Sequence, residues 1–79
     1  MTTSQNSSEM PVTVKAVPIE LCQLLKFGGL VESGGAAKQV ISVGEVKVNG
    51  IVETQKRKKI LVGDRVEYQG QTLVVRVIA

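Results

Sequence analysis

The first periodic run of apolar residues predicts a short helix. Leu21, Leu24 and Leu25 follow one another at i, i+3 and i+4, so a helix would present all three on one face. Pro18 suits the first helical position, where a backbone N–H has no intrahelical partner. The Gly28-Gly29 pair then ends the pattern, because glycine readily terminates a helix. These signals predict a helix over residues 18–27.

A second run with the same spacing predicts a second helix. Ala37, Val40 and Ile41 repeat the i, i+3, i+4 stripe. Ser33 is the expected N-cap, since its hydroxyl can accept a hydrogen bond from a backbone N–H of the first turn. Gly44 is expected to end the helix in a left-handed conformation, which glycine adopts without strain.

Two glycines, Gly34 and Gly35, occupy the first turn of this second helix, where they lower helical propensity. One interpretation is that they let backbone N–H groups approach a phosphate closely. The other is tight packing against the first helix. Packing is favoured, because Glu32 places a negative charge beside the proposed anion site.

Strands are predicted where apolar and polar residues alternate and where a short apolar run occurs. Residues 12–17 alternate in the manner of a short edge strand. Residues 60–62 form a short run typical of a buried strand, and Val66 and Tyr68 alternate with polar neighbours. Residues 72–78 are apolar on both faces, which indicates a central strand.

A hairpin is predicted around Asn49-Gly50, because both residues tolerate positive φ. The preceding strand, residues 45–48, directs its valines to one face and Lys47 to the other. The register stays open. A two-residue turn opposes Lys47 to Val52, whereas a longer loop opposes it to Glu53, a favourable cross-strand pair.

The composition supports one small domain with an aliphatic core. The 79 residues include fourteen Val, five Ile and six Leu, but one Phe, one Tyr and no Trp, and β-branched residues favour strands. Tyr68 is expected to be the one aromatic side chain on a surface. Residues 1–11 are polar and are predicted to be a disordered tail, which leaves residues 12–79 as a single domain.

Positive charge is concentrated in the part predicted to fold. Residues 26–79 carry nine Lys and Arg against five Asp and Glu, and four of the nine lie in residues 55–59, QKRKK. Such a run is most often a solvated loop, but an anionic partner would relieve its repulsion. Lys26 is equally well explained as a solvated lysine at a helix end. The candidate phosphate contacts are Lys26, Lys38, Lys47, Lys56, Arg57, Lys58 and Lys59.

The inventory of reactive side chains argues against catalysis. The chain has no His, one Cys and one Asp, and it lacks a phosphate-cradling glycine motif and a nucleophile elbow. No enzymatic activity, metal, cofactor or small-molecule substrate is therefore predicted. The lone Cys22 has no disulfide partner and is predicted to be a packing residue. With no apolar run of about 20 residues and no signal peptide, we expect a cytoplasmic monomer away from membranes.

The order of these elements resembles the RNA-binding domain named after ribosomal protein S4, also called the alpha-L motif. The resemblance rests on the helix capped by Ser33, V-K-V-N-G at residues 46–50, the basic run and V-G-D at residues 62–64, and it covers residues 18–68. More closely, the segments IELCQLLK, VESGGAAK, VGEVKVNG and VETQKRKKI are similar to the YbcJ family, small stand-alone versions of that domain.

The resemblance implies an α+β fold, with two short helices packed on a small, mostly antiparallel twisted sheet. By position, it implies RNA contacts at Lys38, Lys47 and residues 56–59, with Lys26 as a further contact. Asn49 and its following glycine would shape the hairpin. Many members of the larger family have an arginine directly after the capping serine. This chain has Gly34 there, so the contact of that arginine is missing and the expected RNA contacts are mainly Lys38 and the basic run.

Two functions follow as hypotheses. The first is non-catalytic binding of structured RNA, with ribosomal and transfer RNA both open as targets. Recognition led by phosphates is predicted, because platforms for single strands need several aromatic side chains and this chain has two. The alternative is a small protein–protein interaction adaptor, associated with the ribosome, that binds through its sheet edge or its valine-rich surface.

Overall fold

The structure is a computed structural model and describes residues 8–78. Among these residues neither helix has the length and hydropathy needed to cross a membrane. The helices are α1 (Leu21–Phe27) and α2 (Gly34–Ser42). The strands are β1 (Ser8–Val14), β2 (Ile19–Glu20), β3 (Val46–Val48), β4 (Ile51–Val52), β5 (Lys59–Ile60), β6 (Arg65–Tyr68) and β7 (Gln71–Val77).

The main sheet has five strands in the order β1-β7-β6-β3-β4. Its pairs are antiparallel except β1 with β7, which are parallel. The strand predicted over residues 12–17 does lie at an edge, but it ends at Val14. The strand predicted over residues 72–78 lies inside the sheet, as expected from its apolar character. A second, two-stranded ladder of two residue pairs joins β2 to β5.

The core lies between the two helices and one face of the main sheet. The predicted helical stripes are confirmed: Leu21, Leu24, Leu25, Ala37 and Ile41 are fully buried, and Val40 is half-buried and packs against them. Every second residue of the strands completes this layer, because alternate side chains point to opposite faces. These residues are Val12, Val14, Val46, Val48, Val66, Leu73 and Val75. The packing role predicted for the free Cys22 is also confirmed, since it is 4% exposed.

The N-cap and the glycine stop of α2 are as predicted. The Ser33 hydroxyl accepts a hydrogen bond from the Ala36 N–H at 3.1 Å, which satisfies one of the first-turn donors. Val43 is the C-cap of α2, and Gly44, which follows it, has a φ of +82°. This left-handed conformation allows the chain to turn directly into β3.

The start predicted for α1 is wrong by three residues. Pro18 is not helical, and the helix begins at Leu21. Ile19 and Glu20 are instead drawn into an extended conformation, because they pair with Ile60 and Lys59 of β5. The helix start predicted from Pro18 is therefore prevented by strand pairing of residues 19–20 with a distant part of the chain.

The tail predicted over residues 1–11 is corrected for residues 8–11. These residues belong to β1, which begins at Ser8 and runs parallel to β7 in continuous register. Hydrogen bonding to a neighbouring strand does not require apolar side chains at every position, and Met10 packs against the core. The remainder of the predicted tail, residues 1–7, lies outside the described residues.

The buried strand predicted over residues 60–62 ends after its first residue. Ile60 is fully buried, but Leu61 and Val62 are 52% and 56% exposed. The cause is the turn that follows. The Leu61 N–H donates to the Asp64 carboxylate at 2.8 Å, and Gly63 has a φ of +88°. This turn reverses the chain before it can continue along the ladder.

The hairpin at Asn49-Gly50 resolves the register that the sequence left open. Asn49 and Gly50 have φ values of +52° and +84°, which is the conformation of a two-residue turn. Lys47 therefore lies opposite Val52, not opposite Glu53. A charge pair in the alternative register was outweighed by the preference of this dipeptide for the tight turn.

Candidate nucleic-acid interface

Residues 55–59, hereafter the basic loop, are fastened to the start of α1 by backbone hydrogen bonds. The Leu21 N–H donates to the carbonyl of Lys58 at 2.9 Å, and the Cys22 N–H donates to the carbonyl of Lys56 at 3.1 Å. First-turn N–H groups of a helix have no intrahelical acceptors, and Glu20 supplies no side-chain cap here. The loop carbonyls satisfy these donors and so fix the loop against the helix.

This attachment leaves the side chains of the basic loop directed to solvent. Residues 55–59 are all exposed, while β5, which begins at the last of these residues, is held by pairing of Lys59 with Glu20. The loop backbone is therefore ordered by contacts that do not involve its charged groups. A ligand can thus contact the four cations without breaking the backbone hydrogen bonds that hold the loop.

Three of the predicted site residues line one surface cavity of about 200 Å³. Lys26 comes from α1, Lys38 from α2 and Arg57 from the basic loop. Three elements distant in sequence thus each contribute a cationic residue to the lining of the same opening. We call this opening the cationic cavity. Its lining consists of Glu20, Cys22, Gln23, Lys26, Gly34, Lys38 and Arg57.

One carboxylate accompanies the three cations. Glu20 Oε2 lies 3.9 Å from Arg57 Nε, and the Arg57 side chain is 80% exposed. An ion pair this open to solvent contributes little to stability. It holds Arg57 loosely beside the cavity, where a phosphate with better hydrogen-bonding geometry can compete for the guanidinium.

The remaining cations of the basic loop face elsewhere. Lys58 and Lys59 line a separate groove of about 330 Å³ together with Glu53 and Asp64. Lys56 is exposed and lies in the turn beside Arg57. The basic loop therefore extends the positive surface away from the cationic cavity, and its charges do not all converge on one point.

Lys47 lies on the other face of the main sheet. Its neighbours Val46 and Val48 are buried against the helices, so the alternation of strand side chains directs Lys47 away from them. Glu67 is its partner on β6, and both residues line a depression of about 210 Å³ with Glu45. The structure thus separates Lys47 from the cations around the helices.

The packing interpretation of Gly34 and Gly35 is wrong. Apart from chain neighbours and the helix backbone, no heavy atom of the described residues lies within 4 Å of a Cβ built on Gly34. The equivalent position on Gly35 meets only the Ser33 hydroxyl, at 3.8 Å. Gly34 instead lines the cationic cavity. The close approach of a phosphate to this turn stays a prediction.

The sequence also misjudged which aromatic side chain is exposed. Phe27 is 64% exposed, whereas Tyr68 is half-buried and packs against the core. Gln23 was overlooked as well, although it lines the cationic cavity and both neighbouring depressions. Helical spacing could have revealed this face, because Gln23, Lys26 and Phe27 stand at i, i+3 and i+4.

Comparison with known proteins identifies relatives along most of the chain. Residues 12–76 match the family model of the S4 domain. YbcJ of Escherichia coli (strain K12), provisionally named an RNA-binding protein, is 51% identical over 57 residues, which cover 72% of this chain and 81% of YbcJ. RlbA of Bacillus subtilis (strain 168), provisionally named a ribosome maturation protein, is 38% identical over 60 residues, which cover 76% of this chain and 84% of RlbA.

A solved structure supports the same relationship. The solution structure of YbcJ from E. coli, described as containing an alpha-L motif involved in RNA binding, superposes with a TM-score of 0.62 at 42% identity. The match covers 92% of this chain and 91% of YbcJ. The predicted fold, two helices on a mostly antiparallel sheet of the alpha-L type, is therefore confirmed, as is the resemblance on which it rested.

Proposed function

Because the chain belongs to the S4 domain family, we propose that it binds structured RNA, without a catalytic step, through the cationic cavity and the basic loop. The observation that carries this proposal is the convergence of Lys26, Lys38 and Arg57, from three separate elements, on one opening. Similarity to YbcJ, whose solution structure is described in terms of RNA binding, supports it.

Recognition in this proposal is led by phosphates. Lys26 and Lys38 interact with phosphates as point charges. Arg57 exchanges its weak ion pair with Glu20 for a bidentate hydrogen bond to a phosphate. The backbone of the basic loop is already held by α1, so binding requires ordering of side chains only. This preorganisation reduces the entropic cost of association. Lys56, Lys58 and Lys59 extend the contact along the RNA.

The proposed target class is ribosomal RNA. Its support is the 38% identity to RlbA, which is named for ribosome maturation, and transfer RNA is the comparison that tests it. We further assign the protein to the cytoplasm as a monomer, where the lone Cys22 stays reduced. Light scattering of the purified protein checks the monomer, and crosslinking followed by RNA sequencing in cells checks the target.

Lys38→Ala tests the cationic cavity directly. If the wild type neutralises about four phosphates, the logarithm of its affinity should fall with log salt at a slope of roughly −3 to −4. Removing one phosphate contact should weaken binding to every folded RNA and reduce the magnitude of that slope by about 1. Both quantities are measured by titrating a labelled RNA hairpin at several salt concentrations.

Two variants that also remove one positive charge serve as controls. Arg76→Ala alters an exposed cation of β7 outside the cationic cavity, and it should leave the salt slope unchanged. Lys47→Ala, on the far face of the sheet, should weaken binding less than Lys38→Ala. Equal losses from all three variants, or equal affinity for the hairpin and for heparin, would contradict a defined RNA site.

A further inference from the structure

Phe27, the last residue of α1, exposes 64% of its surface although the chain has only two aromatic residues. A single exposed apolar side chain needs no explanation. Phe27, however, is not isolated, because it lines two adjoining depressions of about 520 and 420 Å³. Ile19 and Gln23 line both as well. We call these joined depressions the aromatic groove.

The charges of the aromatic groove are of one sign. Lys26 lines one of its two depressions and Lys15 lines the other, and no carboxylate of residues 8–78 lines either depression. The rest of the lining is apolar except for the Gln23 amide. The groove therefore suits a flat, apolar group that carries a negative charge nearby and offers polar atoms at its edge.

The aromatic groove adjoins the cationic cavity. Gln23 and Lys26 line both of them, and they share the solvent-facing side of α1 with Phe27. Lys26 and Phe27 each lie about one helical turn from Gln23, and because they are consecutive they lie only about 1.5 Å apart along the axis. A ligand that places a phosphate at Lys26 is thus within one turn of the Phe27 ring.

We infer that the aromatic groove holds one unpaired nucleobase of the bound RNA, stacked on Phe27, with the Gln23 amide at the edge of the base. This inference rests on the proposed function and adds a structural requirement to the target: an unpaired nucleotide beside the helical phosphates. Proteins commonly read RNA at loops and bulges, where a base can stack on an aromatic side chain and hydrogen-bond along its edge. One aromatic side chain accommodates one base, not a strand.

A nucleobase fits better than the side chain of an acidic peptide for two reasons. The groove shares Gln23 and Lys26 with the cavity proposed to hold phosphates, so a base and its own phosphate can reach the two sites together. Gln23 also lines both depressions of the groove, and the Gln23 amide both donates and accepts hydrogen bonds, as a base edge requires. Binding of an acidic peptide is one outcome of the test below.

The test compares two RNA hairpins that differ only in one bulged nucleotide, 2-aminopurine, whose fluorescence is quenched when it stacks. The wild type should bind the bulged hairpin more tightly by roughly five-fold to one-hundred-fold, the usual range for one base stacked on an aromatic residue, and quench its fluorescence. Phe27→Leu should abolish both the preference and the quenching, whereas Phe27→Tyr should retain them. The salt slope should stay unchanged in both, because no charge is altered.

Val43→Ala is the matched control, since Val43 is also 64% exposed but lies at the end of α2. It should behave as the wild type. Equal binding of both hairpins, without quenching and without an effect of Phe27→Leu, would overturn the stacked base while leaving the RNA-binding function intact. So would Phe27-dependent binding of an acidic peptide when binding of the bulged hairpin does not depend on Phe27. Failure of the wild type to bind either hairpin would overturn both proposals.

Discussion

Asn49 joins two turns that lie far apart in the chain. Its side-chain N–H group donates to the Asp64 carboxylate at 3.2 Å, and its side-chain oxygen accepts from the Arg65 N–H at 3.0 Å. The φ of +52° at Asn49 is one that asparagine tolerates better than most residues. The two short motifs V-K-V-N-G and V-G-D are thus halves of one hydrogen-bonded unit.

Asn49→Ala should destabilise the protein by about 2 kcal/mol. It removes two exposed hydrogen bonds, each contributing about 0.5 kcal/mol, and places alanine in a left-handed conformation, which costs roughly 1 kcal/mol. Asn49→Gly removes the same bonds without that backbone strain, so its loss should be smaller. Urea denaturation measures both, with the m-value expected to stay constant. A midpoint for Asn49→Ala equal to that of the wild type would contradict the bridging role.

At the scale of elements, the two helices use glycine in opposite ways. A Cβ built on Gly28, directly after α1, would lie 2.6 Å from a terminal carbon of Leu73, a fully buried residue of β7. A Cβ on Gly34, at the start of α2, would meet open space. Close packing therefore requires glycine at the end of α1 but not at the start of α2.

This contrast gives a matched pair of substitutions. Gly28→Ala should lower the free energy of unfolding by about 1 to 3 kcal/mol, the usual range for overpacking a buried site. Gly34→Ala should raise it by up to about 1 kcal/mol, because alanine has the higher helical propensity. Urea denaturation of the two variants beside the wild type checks the opposite signs. Destabilisation by both to the same extent would show that Gly34 is packed after all.

At the scale of the whole molecule, the charge of the basic loop is separable from the fold. The loop is held through the carbonyls of Lys56 and Lys58 and not through their ammonium groups. Replacement of Lys56, Arg57, Lys58 and Lys59 by alanine should therefore change the unfolding free energy by less than about 1 kcal/mol. The same variant should lose most RNA affinity and show a shallower salt slope.

This quadruple variant also distinguishes RNA binding from the adaptor alternative. An RNA-binding domain should lose its co-purifying RNA when the four charges are removed, while its circular dichroism spectrum stays that of the folded protein. If the variant keeps a protein partner in cells, and no RNA co-purifies with the wild type, the adaptor function is the correct one. The basic loop would then serve solubility.

Much of the fold could be predicted because its signals are local. The leucines of α1, the Ser33 cap and the turn at Asn49-Gly50 depend on spacings and dihedral preferences within a few residues. The errors occur where distant segments meet. Ile19 leaves the predicted helix to pair with Ile60, and Leu61 becomes exposed because the Asp64 turn reverses the chain.

The candidate site divides in the same manner. By itself, the sequence determined which residues carry positive charge, since charge is a property of each side chain, and it determined the helices, turns and family that hold them. Only the tertiary structure decided which cations share a surface. It brings Lys26, Lys38 and Arg57 to one cavity and leaves Lys47 on the far face of the sheet. It also exposes Phe27 beside that cavity. The physical reason is that pairing of distant strands and packing of helices fix these positions, and neither is encoded in a local spacing.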